Sequence, residues 1–160
     1  MKLPLLALLC LLITSSCKKE IDYHQKWELS TMSAKVDGVL VQCTLATAQV
    51  NDEDGQISVR ISGKKEINTV FSLIISDFKG AGTYNLSDNN KAIYLLDTSG
   101  SSDYIGNTSG AIKITSYLAK QYIKGTFEFK GENILTSTSK TISEGQFMIS
   151  LVTVKLPENQ

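Results

Sequence analysis

The chain has 160 residues, balances 16 basic against 16 acidic side chains, and is 42% hydrophobic. One domain is the natural count at this length. The hydrophobic content argues against disorder, and the absence of a basic excess argues against nucleic acid as a partner.

Met1 and Lys2 form a short positive start, and residues 3–13 (LPLLALLCLLI) are an uninterrupted apolar run. As a helix that run rises about 16 Å, far short of the ~30 Å hydrocarbon core, so it reads as the h-region of a signal rather than a span. Thr14, Ser15 and Ser16 then lead to Cys17. Small residues before a cysteine resemble the lipobox of bacterial lipoproteins, and the TSSC form is similar to lipoprotein signals of the Bacteroidota. The resemblance implies removal of residues 1–16, a diacylglycerol on the Cys17 sulfur and an acylated new amino terminus. Two or more acyl chains hold a protein on a bilayer stably, at ~0.8 kcal/mol per buried methylene, where one does not. Lys18, not aspartate, directly follows Cys17, so the outer membrane is the expected location, with the leaflet open. The alternative is an ordinary secretory signal cut near Ser16, with Cys17 a bystander.

Residues 17–31 then read as a lipidated N-terminus and tether, with Trp27 placed to dock at its end, and residues 32–156 as a single all-β domain. Met32, Ala34 and Val36 alternate with Ser33, Lys35 and Asp37. Asp37-Gly38 is a two-residue hairpin signal, because both positions tolerate positive φ. Residues 39–50 read as one strand, ended by an acidic turn at 51–55. Ile57, Val59 and Ile61 share a face, and residues 62–65 (SGKK) read as a turn. Ile67, Thr69, Phe71, Leu73 and Ile75 take one face of the next strand. Short strands follow at 83–86 and 92–97, then a polar loop or irregular hairpin over 98–109 around Tyr104-Ile105. Ile112, Ile114, Ser116 and Leu118 alternate with Lys113, Thr115 and Tyr117. Ile123, Gly125, Phe127 and Phe129 make the clearest half-buried strand, with a turn expected at 131–133. Phe147, Ile149 and Leu151 share the last inward face. Alternation of this kind, with turn signals roughly every eight to twelve residues, predicts an antiparallel β-sandwich or a partly open β-barrel of about nine or ten strands.

Several phrases recur in a familiar order: MSAKVDGVL, GAGTYNL, AIYLLD, SGAIKITSY, IKGTFEFKG and ISEGQFMISL. Together they resemble a family of uncharacterised Bacteroidota lipoproteins with A-x-V-D-G, G-T-Y, G-T-F-x-F and G-x-F elements. The resemblance spans roughly residues 32–153. It implies the fold and the envelope location, and no activity.

The chemistry-bearing residues are few. Cys10 leaves with the signal and Cys17 carries lipid, so Cys43 stands alone and no internal disulfide forms. In V39-L40-V41-Q42-C43-T44-L45 it shares a strand face with Val39, Val41 and Leu45, and reads as a small apolar core residue. His24 is the sole histidine and lies in the tether, which leaves no His-based triad or His metal cluster. Asp52 and Asp54, before Gly55, are weak calcium candidates. An EF-hand alignment puts Val50 and Ile61 at ligand positions, so a solvated hairpin tip is the better reading. Asp97 and Asp103 are an equally weak pair. Tyr94, Tyr104, Tyr117 and Tyr122 come from neighbouring strands or loops and form a candidate binding surface, set against ordinary cross-strand pairing. No motif implies a cofactor. The leading expectation is a non-catalytic, lipid-anchored module that meets the membrane through its acyl chains and binds an envelope protein or glycan. The rivals are a barrel-type carrier of a small hydrophobic ligand and a purely structural lipoprotein.

Overall fold

The computed structural model describes residues 30–66, 68–96, 103–106 and 109–151. Cys17, His24, Trp27, Ile67 and Asp97 lie outside the described residues, as do the expected signal and nearly all of the tether. The strands are β1 (Thr31–Val36), β2 (Val39–Gln42), β3 (Leu45–Glu53), β4 (Gln56–Lys65), β5 (Asn68–Ile75), β6 (Gly82–Asn85), β7 (Lys91–Tyr94), β8 (Tyr104–Gly106), β9 (Gly110–Leu118), β10 (Tyr122–Asn133) and β11 (Thr138–Ser150). Nine of them, in the order β2-β1-β11-β10-β8-β7-β5-β4-β3, form an open, curled antiparallel sheet, a half barrel; β9 and β6 branch from β10. The branch exists because β10 is long: Tyr122 to Phe129 pair with β9, and Glu132 pairs with Ile105 of β8.

The eleventh strand comes from residues 39–50, which do not form one strand. Cys43 N–H donates to Met32 O (2.9 Å) and Thr44 N–H to Lys64 O (2.8 Å). Adjacent residues thus bond to strands near opposite edges of the sheet, and two residues join edge strand β2 to edge strand β3. The switch of partner also resets the alternation. Val41 pairs with inward Ala34 and Cys43 is buried, but the next inward positions are Ala46 and Ala48, opposite Gly63 and Ile61. Leu45 is 49% exposed and does not share Cys43's face.

Asp37 (φ 48°) and Gly38 (φ 85°) form the expected hairpin turn, with Val36 opposite Val39. Two expected turns are corrected. Residues 62–65 belong to β4, and residues 131–133 belong to β10. Gly63 and Gly131 serve close packing there. A Cβ on Gly63 would lie 2.5 Å from Cys43 Sγ and 2.7 Å from Met32 Sδ, and one on Gly131 would lie 2.9 Å from Tyr104 Cβ. The turns fall just beyond, at Glu66 (φ 57°) and around Ser137 (φ 53°).

The inward faces meet in a packed interior. Phe71 on β5 touches Phe127 on β10 edge-on at 5.5 Å, although β7 and β8 separate those strands in the sheet. Phe71, Ile61, Leu73, Ile112, Ile123 and Ile149 are at most 1% exposed. Each such side chain contributes roughly 1.5–3 kcal/mol by leaving water.

Candidate functional site

One end of the half barrel, where β1 begins and β11 finishes, is a mouth. Along β3 the inward positions lose cover toward it: Ala46 is 3% exposed, Ala48 is half-buried and Val50 is 36% exposed. Facing them is the β9–β10 turn, tied down by the Leu151 N–H, which donates to Gln121 O at 2.7 Å. Between lies a cleft of about 480 Å³ lined by Ala48, Val50, Ile57, Tyr117 and Leu151, with Asp52 and Lys120 as its charged members. An aromatic stack backs Tyr117: Phe78 meets it edge-on at 4.8 Å and stacks on Tyr84 at 5.8 Å. Tyr84 Oη is pinned in turn, donating to Gly80 O at 2.8 Å and accepting from Lys79 N–H at 2.9 Å. Sequence pattern gave no signal for Phe78, which sits in the irregular chain between β5 and β6 with no alternation around it.

Tyr117 reaches this place through a bulge. Lys124 pairs with Ser116 but Gly125 pairs with Ile114, leaving Thr115 as the extra residue. The extra residue reverses the alternation, so Tyr117 lies opposite buried Ile123 and Leu118 turns outward. The expected polar-face position for Tyr117 is thereby corrected.

The four tyrosines do not form one surface. Tyr94 and Tyr104 are each 8% exposed, with ring centroids 6.2 Å apart, because both fall on inward positions of β7 and β8. Burial raises the Tyr94 phenol above its ordinary pKa. Tyr104 Oη shares a hydrogen bond with Thr138 Oγ1 at 3.0 Å. Tyr122 is half-buried and hydrogen-bonded to Ser116 Oγ at 3.0 Å. Of the candidate set, the mouth brings together Tyr117 and Asp52. Asp52 Oδ1 accepts the Gly55 N–H at 3.0 Å, and Asp54 sits in the left-handed region at φ 54°, so both shape the β3–β4 turn. Among the described residues no three His, Cys, Asp or Glu side chains converge where a metal ion could be held. Cys43 is 9% exposed, and burial pushes its thiol up to about 11, so it is protonated at neutral pH.

The opposite end, the apex, is built differently. Lys140 Nζ donates to Asp37 Oδ2 (2.8 Å) and Thr141 N–H to Asp37 Oδ1 (2.9 Å). The Lys140 hydrogen bond, seconded by that from Thr141, holds the Asp37 carboxyl below the usual range. These contacts fasten the β1–β2 hairpin to β11. The β10–β11 hairpin runs on past this point to Asn133 and Thr138. Asn133 is 3% exposed and its Oδ1 accepts the N–H groups of Leu135 (3.0 Å) and Thr136 (2.9 Å). That turn holds Ile134 at 84% exposure and Leu135 at 75%, and Val39 beside the first hairpin stands at 69%. These three are the most exposed large apolar side chains among the described residues.

Residues 29–149 match a family model described as "Domain of unknown function (DUF6252)". No curated protein and no solved structure matches the chain.

Proposed function

The chain belongs to the DUF6252 family, and from the apolar run 3–13 followed by Thr14-Ser15-Ser16-Cys17 we propose that it is an outer-membrane lipoprotein of the Bacteroidota type, a non-catalytic module that binds an envelope protein. Cys17 carries the lipid, residues 18–29 lead to the domain, and the apex meets the partner. The observation that carries this reading is the polarity of the domain. The chain joins the sheet at Ser30, whose Oγ accepts the Ser150 N–H at 3.2 Å, so both ends of the described chain lie at the mouth. The apolar tip lies at the other end, beyond about 20 Å of β1 at ~3.3 Å per residue. A tether from Cys17 therefore attaches at the mouth and leaves Val39, Ile134 and Leu135 away from the bilayer. A protein partner fits this apex better than a glycan, since its most exposed groups are aliphatic and lack the aromatic faces that stack on sugars.

The test has two parts. Cys17→Ala is expected to abolish acylation and release the protein from the membrane fraction. A photo-crosslinking residue at position 134 is expected to give a discrete adduct in intact cells that Leu135→Asp removes, while one at position 65 gives none. An unchanged adduct pattern would refute the apex as the binding surface.

A further inference from the structure

The mouth exposes the inner face of the half barrel. Val50 is 36% exposed there, although its β4 neighbours Val59 and Ile61 are 1% and 0% exposed. The described chain begins at Ser30, hydrogen-bonded to Ser150, and the next residue, Leu151, lines the cleft. The stretch upstream of residue 30 therefore departs from the cleft's edge. Residues 21–29, IDYHQKWEL, place Ile21, Tyr23, Trp27 and Leu29 at alternate positions, with Gln25 in the remaining slot and polar residues between. From Ser30, Trp27 has a reach of about 10 Å and the nine-residue stretch about 30 Å, enough to cross the opening.

We propose that residues 21–29, which lie outside the described residues, are the occupant of this mouth, with the Trp27 indole seated in the cleft against Val50, Tyr117 and Leu151. The inference is independent of lipidation. If Cys17 is acylated, a docked stretch leaves only residues 18–20 as spacer and holds the mouth against the membrane surface.

Trp27 is the sole tryptophan, so its fluorescence reads the proposal directly in the full chain. The expected result is a blue-shifted emission whose quenching by acrylamide is severalfold weaker than in the denatured chain. Val50→Asp, at a partly exposed position, is expected to shift the emission red and raise quenching severalfold, with the circular dichroism of the sheet unchanged. Tyr117→Ser serves the same purpose should that variant fail to fold. The naphthalene dye 1-anilinonaphthalene-8-sulfonate is expected to bind the Trp27→Ala variant and not the parent. A solvent-exposed emission in the native chain would overturn the proposal. So would an emission indifferent to both cleft variants, strong quenching by a brominated detergent, or equal dye binding by parent and Trp27→Ala.

Discussion

At the scale of single residues, glycine and cysteine carry the clearest tests. Gly63 faces Cys43 Sγ and Met32 Sδ across the interior at distances no Cβ tolerates. Gly63→Ala is therefore expected to cost about 1–3 kcal/mol, as overpacking of a filled core does. Denaturant titration measures it. Combining it with Cys43→Ala is expected to recover part of the loss, since the two side chains contend for one space. Cys43 gives a pH signature of definite sign. Its thiol titrates at about 11 in the folded protein against an ordinary 9.0. From about pH 9 upward the unfolded chain releases the proton first, so stability falls as pH rises toward 11. The parent is expected to lose stability over that window relative to Cys43→Ala. A native thiol that reacts with Ellman's reagent as fast as the denatured one would contradict this burial.

At the scale of elements, strand faces were legible and strand ends were not. Met32/Ala34/Val36, Phe71/Leu73/Ile75 and Ile123/Phe127/Phe129 are buried as their alternation predicts. Alternation is a local property of an extended chain, so it reads directly from sequence. Turns at Gly63 and Gly131 were misplaced because a glycine that yields space to a distant side chain looks, in sequence, like one that reverses the chain. The partner switch at Cys43-Thr44 and the bulge at Thr115 each reverse a face, and both depend on strands far away in sequence. For the same reason the two candidate ends were only partly readable: Asp52 and Tyr117 were singled out separately, and Phe78, Ile134 and Leu135 not at all. The Asp37 tie between hairpins supplies an acid-side prediction. Its carboxyl is held below the ordinary range, so its contribution is present above the unfolded pKa and is lost as pH falls through the folded one. The protection of the Thr141 amide against exchange, relative to the unfolded chain at the same pH, is expected to fall on acidification through that range, and Asp37→Asn to remove the step. Among strands, β10 and β11, paired along most of their length, are expected to exchange slowest, and the short β6 and β8 fastest.

At the scale of the molecule, the two ends differ in kind. The mouth gathers both ends of the described chain and a half-covered apolar cleft, while the apex holds aliphatic side chains in water. Ile134→Asp with Leu135→Asp is expected to leave thermal stability within a few degrees of the parent, because exposed positions contribute little to the core. Leu135→Asp alone is expected to abolish crosslinking from a photo-reactive residue at position 134. A large fall in melting temperature would mean that the tip is structural. The orientation proposed for these ends rests on lipidation of Cys17. Mass spectrometry of the protein extracted from the outer-membrane fraction tests that claim most directly. The expected species starts at Cys17 and carries diacylglyceryl and acyl masses. A chain that starts elsewhere, or a Cys17 with a free thiol, would contradict the account.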